Sequence, residues 1–274
     1  MVDILTIGNE ILLGLIEDTN SSYLCRVVRG MGGRVRHISI VRDEIEAIAA
    51  DLKSSMAAGA QFIFTCGGLG PTDDDLTLAG VAVAIGREPK VDPQAVEMVE
   101  RRYRELASKA FVSDSRMTET RLKMARLPEG AQAIENPVGA APAVLVEVGN
   151  IHIVSLPGVP AELKAIVEGP LQDVLAQFFG PGSYRERKIT VDCGDESVLA
   201  GILREVAKLH PEAYIKSRAG HFGSDVRFRI VVGVSAENAE QADRIVESTS
   251  TDLGHSLEAA GIALEVDKNF TIEG

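Results

Sequence analysis

The chain has 274 residues, 45% of them apolar, and a formal net charge of −12 at pH 7. This length and apolar fraction suffice for one large or two medium domains with a hydrophobic core, and they exclude a disordered chain. Because the chain is acidic, has no tryptophan and only 4% aromatic residues, we expect no nucleic-acid partner and no binding to anionic membranes.

The first residues, MVDILTIGNEILLG, are apolar but include Asp3 and no basic segment, so they predict a first strand rather than a signal peptide. No apolar stretch reaches the length of a transmembrane helix. The cysteines Cys25, Cys66 and Cys193 lack the spacing of a zinc site or a disulfide framework. We therefore expect a soluble cytoplasmic protein, and a homo-oligomer with a dimer favoured.

The first half of the chain alternates apolar strands with amphipathic helices. Strands are predicted at 3–8, 34–41 and 61–66, and apolar residues at helical spacing follow each of them. Asp43 is predicted to open the second of these helices and Thr77 to cap the third. This alternation predicts an α/β domain with a mostly parallel, doubly wound sheet.

The middle of the chain contains a helical segment at about 93–126 and then a hairpin. Two strands of alternating pattern, AVLVEV and IHIVSL, are joined at Gly149-Asn150, a typical two-residue hairpin turn. The segment GPGSYRER (180–187) predicts a linker, because it combines glycines and a proline with charged residues.

After the linker, the pattern changes to strand, helix, strand, strand and helix, which predicts a smaller α+β domain. We therefore expect one domain at 1–180, a second at 186–262 and a loosely held tail at 263–274.

Acidic loops follow the first three predicted strands: GNE (8–10), RDE (42–44) and GGLGPTDDD (67–75). Ligands of open α/β sheets collect beyond the carboxyl ends of the strands, so these loops should lie at one ligand-binding edge. Backbone amides of a glycine loop can bind phosphate, while a neighbouring aspartate holds a divalent ion that bridges to the same oxygens.

This pattern predicts a phosphate site with a divalent metal, Mg²⁺ or alternatively Mn²⁺ or Co²⁺. The candidate phosphate-binding residues are Gly67, Gly68, Leu69, Gly70 and Thr72. The candidate metal ligands are Glu10, Asp43, Asp74 and Asp75. The alternative is structural, since glycine turns followed by aspartates also form surface turns and helix starts.

Four motifs in the first 178 residues carry a specific resemblance. In order, IGNEILLGLIEDTN, GGLGPTDDDLT, NPVGAAPAV and LPGVPAEL resemble the CinA family, whose N-terminal module is similar to molybdopterin-binding proteins of the MogA and MoeA type. Residues 186 to about 262 also resemble the KH-like domain of that family. The resemblance implies a three-layer α/β/α molybdopterin-binding domain followed by a smaller α+β KH-like domain.

The resemblance also implies a ligand, either a pterin or a nucleotide diphosphate, and roles for matched residues. Asp43 and Asp75 match acidic residues of the family and Lys123 matches a basic one, which implies that all three are catalytic. Further matched positions are implied to bind substrate: Asn136, Gly139, Pro157 and Gly158. The chain ends where a CinA protein would begin its nicotinamide-nucleotide deamidase domain, so no deamidation is expected.

In CinA proteins the module is associated with metal-dependent cleavage of the diphosphate in ADP-ribose, and this hydrolase is the leading hypothesis for the chain. Two alternatives stay open: nucleotidyl transfer to a pterin, as in MogA-type proteins, and a non-catalytic nucleotide or pterin sensor.

The second domain contains a basic cluster formed by Lys216, Arg218, His221, Arg227 and Arg229. Arg227 and Arg229 alternate with apolar residues and therefore share one face of a sheet. This face either pairs with substrate phosphates at the cleft of the first domain or is a solvated outer face, and the sequence leaves both interpretations open.

Overall fold

The computed structural model describes residues 1–193, 195–219 and 227–266, and the chain forms two compact units. One unit comprises Met1–Cys25 and Arg34–Leu175, and the other comprises Arg26–Gly33 and Ala176–Gly274. In the described part of the chain, no helix is both long and apolar enough to cross a membrane.

A mixed six-stranded sheet forms the centre of the first unit. Its strands are β1 (Val2–Ile7), β2 (Val35–Val41), β3 (Phe62–Cys66), β6 (Gln132–Ile134), β7 (Ala143–Val148) and β8 (Ile151–Leu156). Their order is β2-β1-β3-β8-β7-β6, in which β2, β1, β3 and β8 are parallel and the last two pairings are antiparallel. A separate ribbon joins β4 (Pro89–Val91) to β5 (Arg126–Pro128).

Helices lie on both faces of this sheet. The helices up to residue 179 are α1 (Asn9–Leu12), α2 (Thr19–Gly30), α3 (Ile45–Ala57), α4 (Thr77–Ile85), α5 (Pro93–Ser108), α6 (Glu119–Lys123), α7 (Pro160–Glu168) and α8 (Gln172–Phe179). Leu5 and Ile7 of β1 share a buried cluster with residues of α3 and α4. Thr6 points to the other face, where its hydroxyl lies 2.9 Å from that of Ser21 on α2. The predicted three-layer α/β/α architecture is confirmed.

The central strands β1 and β3 are buried throughout because both of their faces are covered. Every residue of β1 and β3 is buried, as expected for parallel strands between two helical layers. The predicted hairpin is also confirmed: Val148 pairs with Ile151, and Gly149 occupies the turn with φ 58°.

Two predicted helix starts are wrong. The cap position of α4 is Leu76, and the hydroxyl of Thr77 donates instead to the carbonyl of Gly67 at 2.7 Å. The cap position of α3 is Glu44, and the carboxylate of Asp43 accepts from the backbone N–H of Asn9 at 2.7 Å. The partner of Thr77 lies at the start of the same loop, ten residues earlier, and the partner of Asp43 lies in the loop after β1, so neither side chain caps its own helix.

The second unit is a two-layer α+β structure. Its antiparallel sheet has the strands β9 (Ser183–Asp192), β10 (Ala213–Ala219), β11 (Arg227–Ala236) and β12 (Ala263–Val266), and its further helices are α9 (Glu196–Leu209) and α10 (Ala239–Ala259). The strand order is β10-β11-β9-β12. Apolar residues of β9 and β11 form one buried cluster with Leu199 of α9 and Leu253 of α10.

The predicted linker and tail both differ from the structure. Residues 183–187 belong to β9, and Tyr184 and Glu186 within them are buried, because the chain enters the sheet directly after Gly182. Residues 263–266 form β12 and pair with β9, so they are not part of a loosely held tail. Residues 267–274 and His221 lie outside the described residues.

Candidate functional site

The loops of the first unit surround a cavity of about 550 Å³, within the size range of small-molecule sites. Ten of the predicted site residues line it: Glu10, Asp43, Gly67, Gly68, Leu69, Gly70, Asp74, Asp75, Pro157 and Gly158. Four others do not: Thr72, Lys123, Asn136 and Gly139. The cavity lies at the carboxyl ends of β1, β2, β3 and β8, as the strand order predicts.

Two glycines of the loop after β3 are required by the backbone. Gly67 has φ 103°, donates its N–H to the carbonyl of Leu156 at 3.0 Å, and would bring a Cβ against the carbonyl of Ile7. Gly68 has φ 63°, and a Cβ there would overlap the hydroxyl of Thr77. The glycine loop is therefore held tightly against the ends of three strands.

The aspartates that follow the glycines hold their own loop. Asp75 Oδ2 accepts from the backbone N–H of Thr72 at 2.8 Å and lies 2.5 Å from its hydroxyl. The same hydroxyl lies 2.5 Å from Asp74 Oδ1, and this contact together with the nearby ammonium of Lys123 lowers the pKa of Asp74. Lys123 donates to the carbonyl of Thr72. Asp75, Thr72 and Lys123 thus shape the loop beside the cavity.

The three acidic loops do meet at this edge. Burial raises the pKa of Asp43, and repulsion from the carboxylates of Glu10 and Asp74 raises it further, against the opposing effect of its hydrogen bond from Asn9. Residues from all three predicted loops are therefore close enough to interact electrostatically.

The described residues offer no ready-made set of ligands for the expected metal ion. Within the part of the chain that the structure describes, no group of three or more His, Cys, Asp or Glu side chains is placed to hold an ion. Asp43 and Asp75 already accept backbone N–H groups. A divalent ion here would need ligand oxygens or water to complete its coordination, and its presence stays a prediction.

The start of α2 contributes two residues that sequence reasoning missed. Asp18 Oδ1 accepts from the N–H of Ser21 at 2.9 Å, and Oδ2 lies 2.9 Å from the hydroxyl of Thr6. Asn20 is 8% exposed and donates to the carbonyl of Gly158 at 2.7 Å, which ties the LPGVP loop to α2. The available signal was the helix-start pattern Asp18-x-x-Ser21, in which an aspartate caps the N–H three residues on.

Asn136 does not line the cavity but forms hydrogen bonds with two residues that do, Ala141 and Glu162. Its Nδ2 donates to the carbonyl of Ala141 and to Glu162 Oε2, each at 2.8 Å. Its Oδ1 accepts from the N–H groups of Val138 at 3.1 Å and Gly139 at 2.7 Å. A Cβ at Gly139 would overlap Glu162. The amide is fully used, so Asn136 and Gly139 position Glu162, which itself lines the cavity.

The cavity is rich in hydrogen-bond acceptors. Seven lining residues are acidic: Glu10, Glu17, Asp18, Asp43, Asp74, Asp75 and Glu162. None of the described residues that line it is lysine or arginine. The site can therefore accept hydrogen bonds from donor groups of a ligand, whereas an anionic group has no cationic side chain among these lining residues and can be held by backbone N–H groups.

Residues 3–177 match the family described as "probable molybdopterin binding domain". A protein of Pyrobaculum calidifontis is 38% identical over 246 residues, covering 89% of this chain and 91% of that protein. A protein of Aeropyrum pernix is 39% identical over 245 residues, covering 88% of each. The crystal structure of CinA, a protein with unknown function from Thermoplasma acidophilum, is 32% identical with a TM-score of 0.57 and covers 64% of this chain and 98% of that chain.

These comparisons confirm the CinA-like resemblance and overturn the leading functional hypothesis. The matching family is described by molybdopterin binding, and the matching CinA structure has no known function, so neither supports hydrolysis of the ADP-ribose diphosphate. The prediction of an ADP-ribose hydrolase is wrong, and the comparisons support the molybdopterin-binding alternative instead.

Proposed function

The chain belongs to the probable molybdopterin binding domain family, and from this premise we propose that the cavity of its first unit binds a molybdopterin-type pterin phosphate. The observation that carries the proposal is the glycine loop. Gly68, Leu69 and Gly70 line the cavity, and their backbone N–H groups donate to no acceptor among the described residues. Three consecutive unused amides fit a phosphate group.

The acidic wall fits the pterin ring. The aminopyrimidinone edge of a pterin presents an amino group and a ring N–H side by side, and one carboxylate can accept from both. Glu10 and Glu17 line the cavity, and their side chains accept from no other described residue. We assign them as the acceptors of the pterin edge.

Binding is tested by anaerobic calorimetric titration of the chain with molybdopterin. The double variant Glu10→Gln/Glu17→Gln should bind at least roughly tenfold more weakly, because hydrogen bonds to charged groups are lost. Glu46→Gln/Glu88→Gln makes the same charge change at exposed positions outside the cavity and should bind like the wild type. Absence of saturable binding by the wild type, or equal loss in both variants, would contradict the proposal.

The same ligand separates a transferase from a sensor. With molybdopterin, ATP and Mg²⁺, a transferase joins the ligand phosphate to the α-phosphorus of ATP and releases pyrophosphate, which gives an adenylated product. Saturable binding with no adenylated product identifies a sensor.

A further inference from the structure

The face of the second unit's sheet that points away from α9 and α10 carries basic side chains. Phe228 and Ile230 of β11 are buried in the cluster with these helices, so Arg227 and Arg229 point to the opposite face. Arg218 of β10 is paired directly opposite Arg229. Lys216 precedes Arg218 by two residues and shares this face. We define these four basic residues, all exposed, as the basic face.

The charges of the basic face are not neutralised by the described part of the protein. None of its four side chains makes an ion pair or hydrogen bond with a described residue. By contrast, Arg185 and Arg187 of β9 contact Asp243 at 2.9 Å and Glu247 at 2.6 Å on α10. Like charges directly opposite each other destabilise a sheet, so the pair of Arg218 and Arg229 costs folding stability. A pair of arginines that costs folding stability and has no acidic partner among the described residues indicates a binding site for an anionic ligand.

Acidic side chains of this face lie on the other two strands. Glu186 of β9 is buried and is held by the hydroxyl of Tyr184 at 2.9 Å and by Lys188 at 3.6 Å. Asp192 is opposite Arg227, and Glu265 of β12 is opposite Thr190. The described residues of β10 and β11 include no carboxylate, so positive charge dominates where these two strands meet.

An exposed aromatic ring lies beside the basic residues. Tyr214 is 57% exposed and precedes Lys216 by two residues, which places it on the same face. Basic residues on neighbouring strands and at alternate positions are about 5–7 Å apart, so several can contact one extended polyanion. An exposed ring in this position can stack on an unpaired base.

We propose that the basic face binds single-stranded nucleic acid, with phosphates on Lys216, Arg218, Arg227 and Arg229 and a base stacked on Tyr214. A duplex would leave Tyr214 without an accessible base. A small phosphorylated ligand would contact only some of the four residues of the basic face. The net charge of −12 led us to expect no nucleic-acid partner, but that total averages over an acidic chain and hides a local basic surface.

The test is fluorescence anisotropy of the full chain with a labelled oligouridylate of about 12 nucleotides. Arg218→Gln/Arg229→Gln should bind roughly ten- to hundredfold more weakly at low salt, and its slope of log affinity against log salt should be shallower by about 1.4. Arg204→Gln/Arg244→Gln removes the same charge from exposed positions on α9 and α10 and should bind nearly as the wild type does. Tyr214→Ala should bind roughly fivefold or more weakly with an unchanged slope.

Circular dichroism confirms that each variant is folded before its affinity is compared. The proposal is overturned if the wild type does not bind the oligonucleotide at low salt. It is equally overturned if the control Arg204→Gln/Arg244→Gln loses as much affinity as Arg218→Gln/Arg229→Gln. It is also overturned if inorganic tripolyphosphate displaces the oligonucleotide at equal concentration of phosphate groups, which would identify a small-anion site. Unchanged binding by Tyr214→Ala would exclude base stacking.

Discussion

Replacing Asn136 with aspartate tests whether this residue holds the loop beside the cavity. The substitution keeps the side-chain shape but exchanges the Nδ2 donor for a carboxylate oxygen. Two hydrogen bonds are lost, one to the carbonyl of Ala141 and one to the carboxylate of Glu162. The neutral bond is worth about 0.5–1.5 kcal/mol and the charged one about 1.5–3 kcal/mol, so we expect a loss of about 2–4.5 kcal/mol at pH 7.

Urea unfolding followed by circular dichroism measures this loss, since the chain has no tryptophan. The introduced carboxylate lies beside that of Glu162, so the folded state holds one proton more tightly than the unfolded state does. The stability deficit of Asn136→Asp should therefore shrink as pH falls from neutral into the acid range.

A second substitution provides the matched control. Glu162→Gln, combined with Asn136→Asp, restores an amide donor opposite the introduced carboxylate and should recover at least about 1 kcal/mol relative to the sum of the single variants. The account of this loop fails if Asn136→Asp unfolds at the wild-type urea concentration at pH 7. It also fails if the double-mutant cycle shows no coupling.

Three further predictions concern the same unit. Because burial raises the pKa of Asp43 in the folded state, its ionised form reduces stability at neutral pH. Asp43→Asn should therefore be more stable than the wild type at pH 7 and equally stable at about pH 3, and urea unfolding at both pH values measures the difference. Gly67→Ala should lose at least about 2 kcal/mol of unfolding free energy, since its Cβ would meet the carbonyl of Ile7. The control Gly59→Ala also has positive φ but open space around its Cβ, so it should lose less. Equal losses of stability would exclude the close approach to Ile7 as the cause. Mg²⁺ should tighten molybdopterin binding in calorimetry because it would screen the ligand phosphate from Asp74, and identical affinity in EDTA would remove the metal from the account.

Most of the first unit's architecture could be predicted because its signals are local. The buried runs of β1 and β3 and the Gly149-Asn150 turn depend on neighbours along the chain. Thr77 and Asp43 were assigned wrongly because their partners lie outside their own helices: the carbonyl of Gly67 at the start of the preceding loop and the N–H of Asn9 after β1. Contacts of this kind depend on the assembled fold.

The glycine loop and the acidic edge of the candidate site could be predicted from the sequence. The roles of individual residues could be predicted less well. Gly67 and Gly68 could be placed because glycine adopts positive φ at a tight turn without the steric cost of a Cβ. Asn20 and Glu162 were missed because their importance arises from contacts with Gly158 and Asn136, more than 25 residues away in each case. The function was misassigned because glycine and carboxylate loops of this type serve several chemistries on one fold.

A crystal structure of the chain with bound molybdopterin tests the central proposal most directly. We expect the ligand phosphate within hydrogen-bonding distance of the N–H groups of Gly68, Leu69 and Gly70, and the pterin edge on Glu10 or Glu17. Molybdopterin bound outside this cavity, or an empty cavity in crystals grown with saturating ligand, would contradict the account.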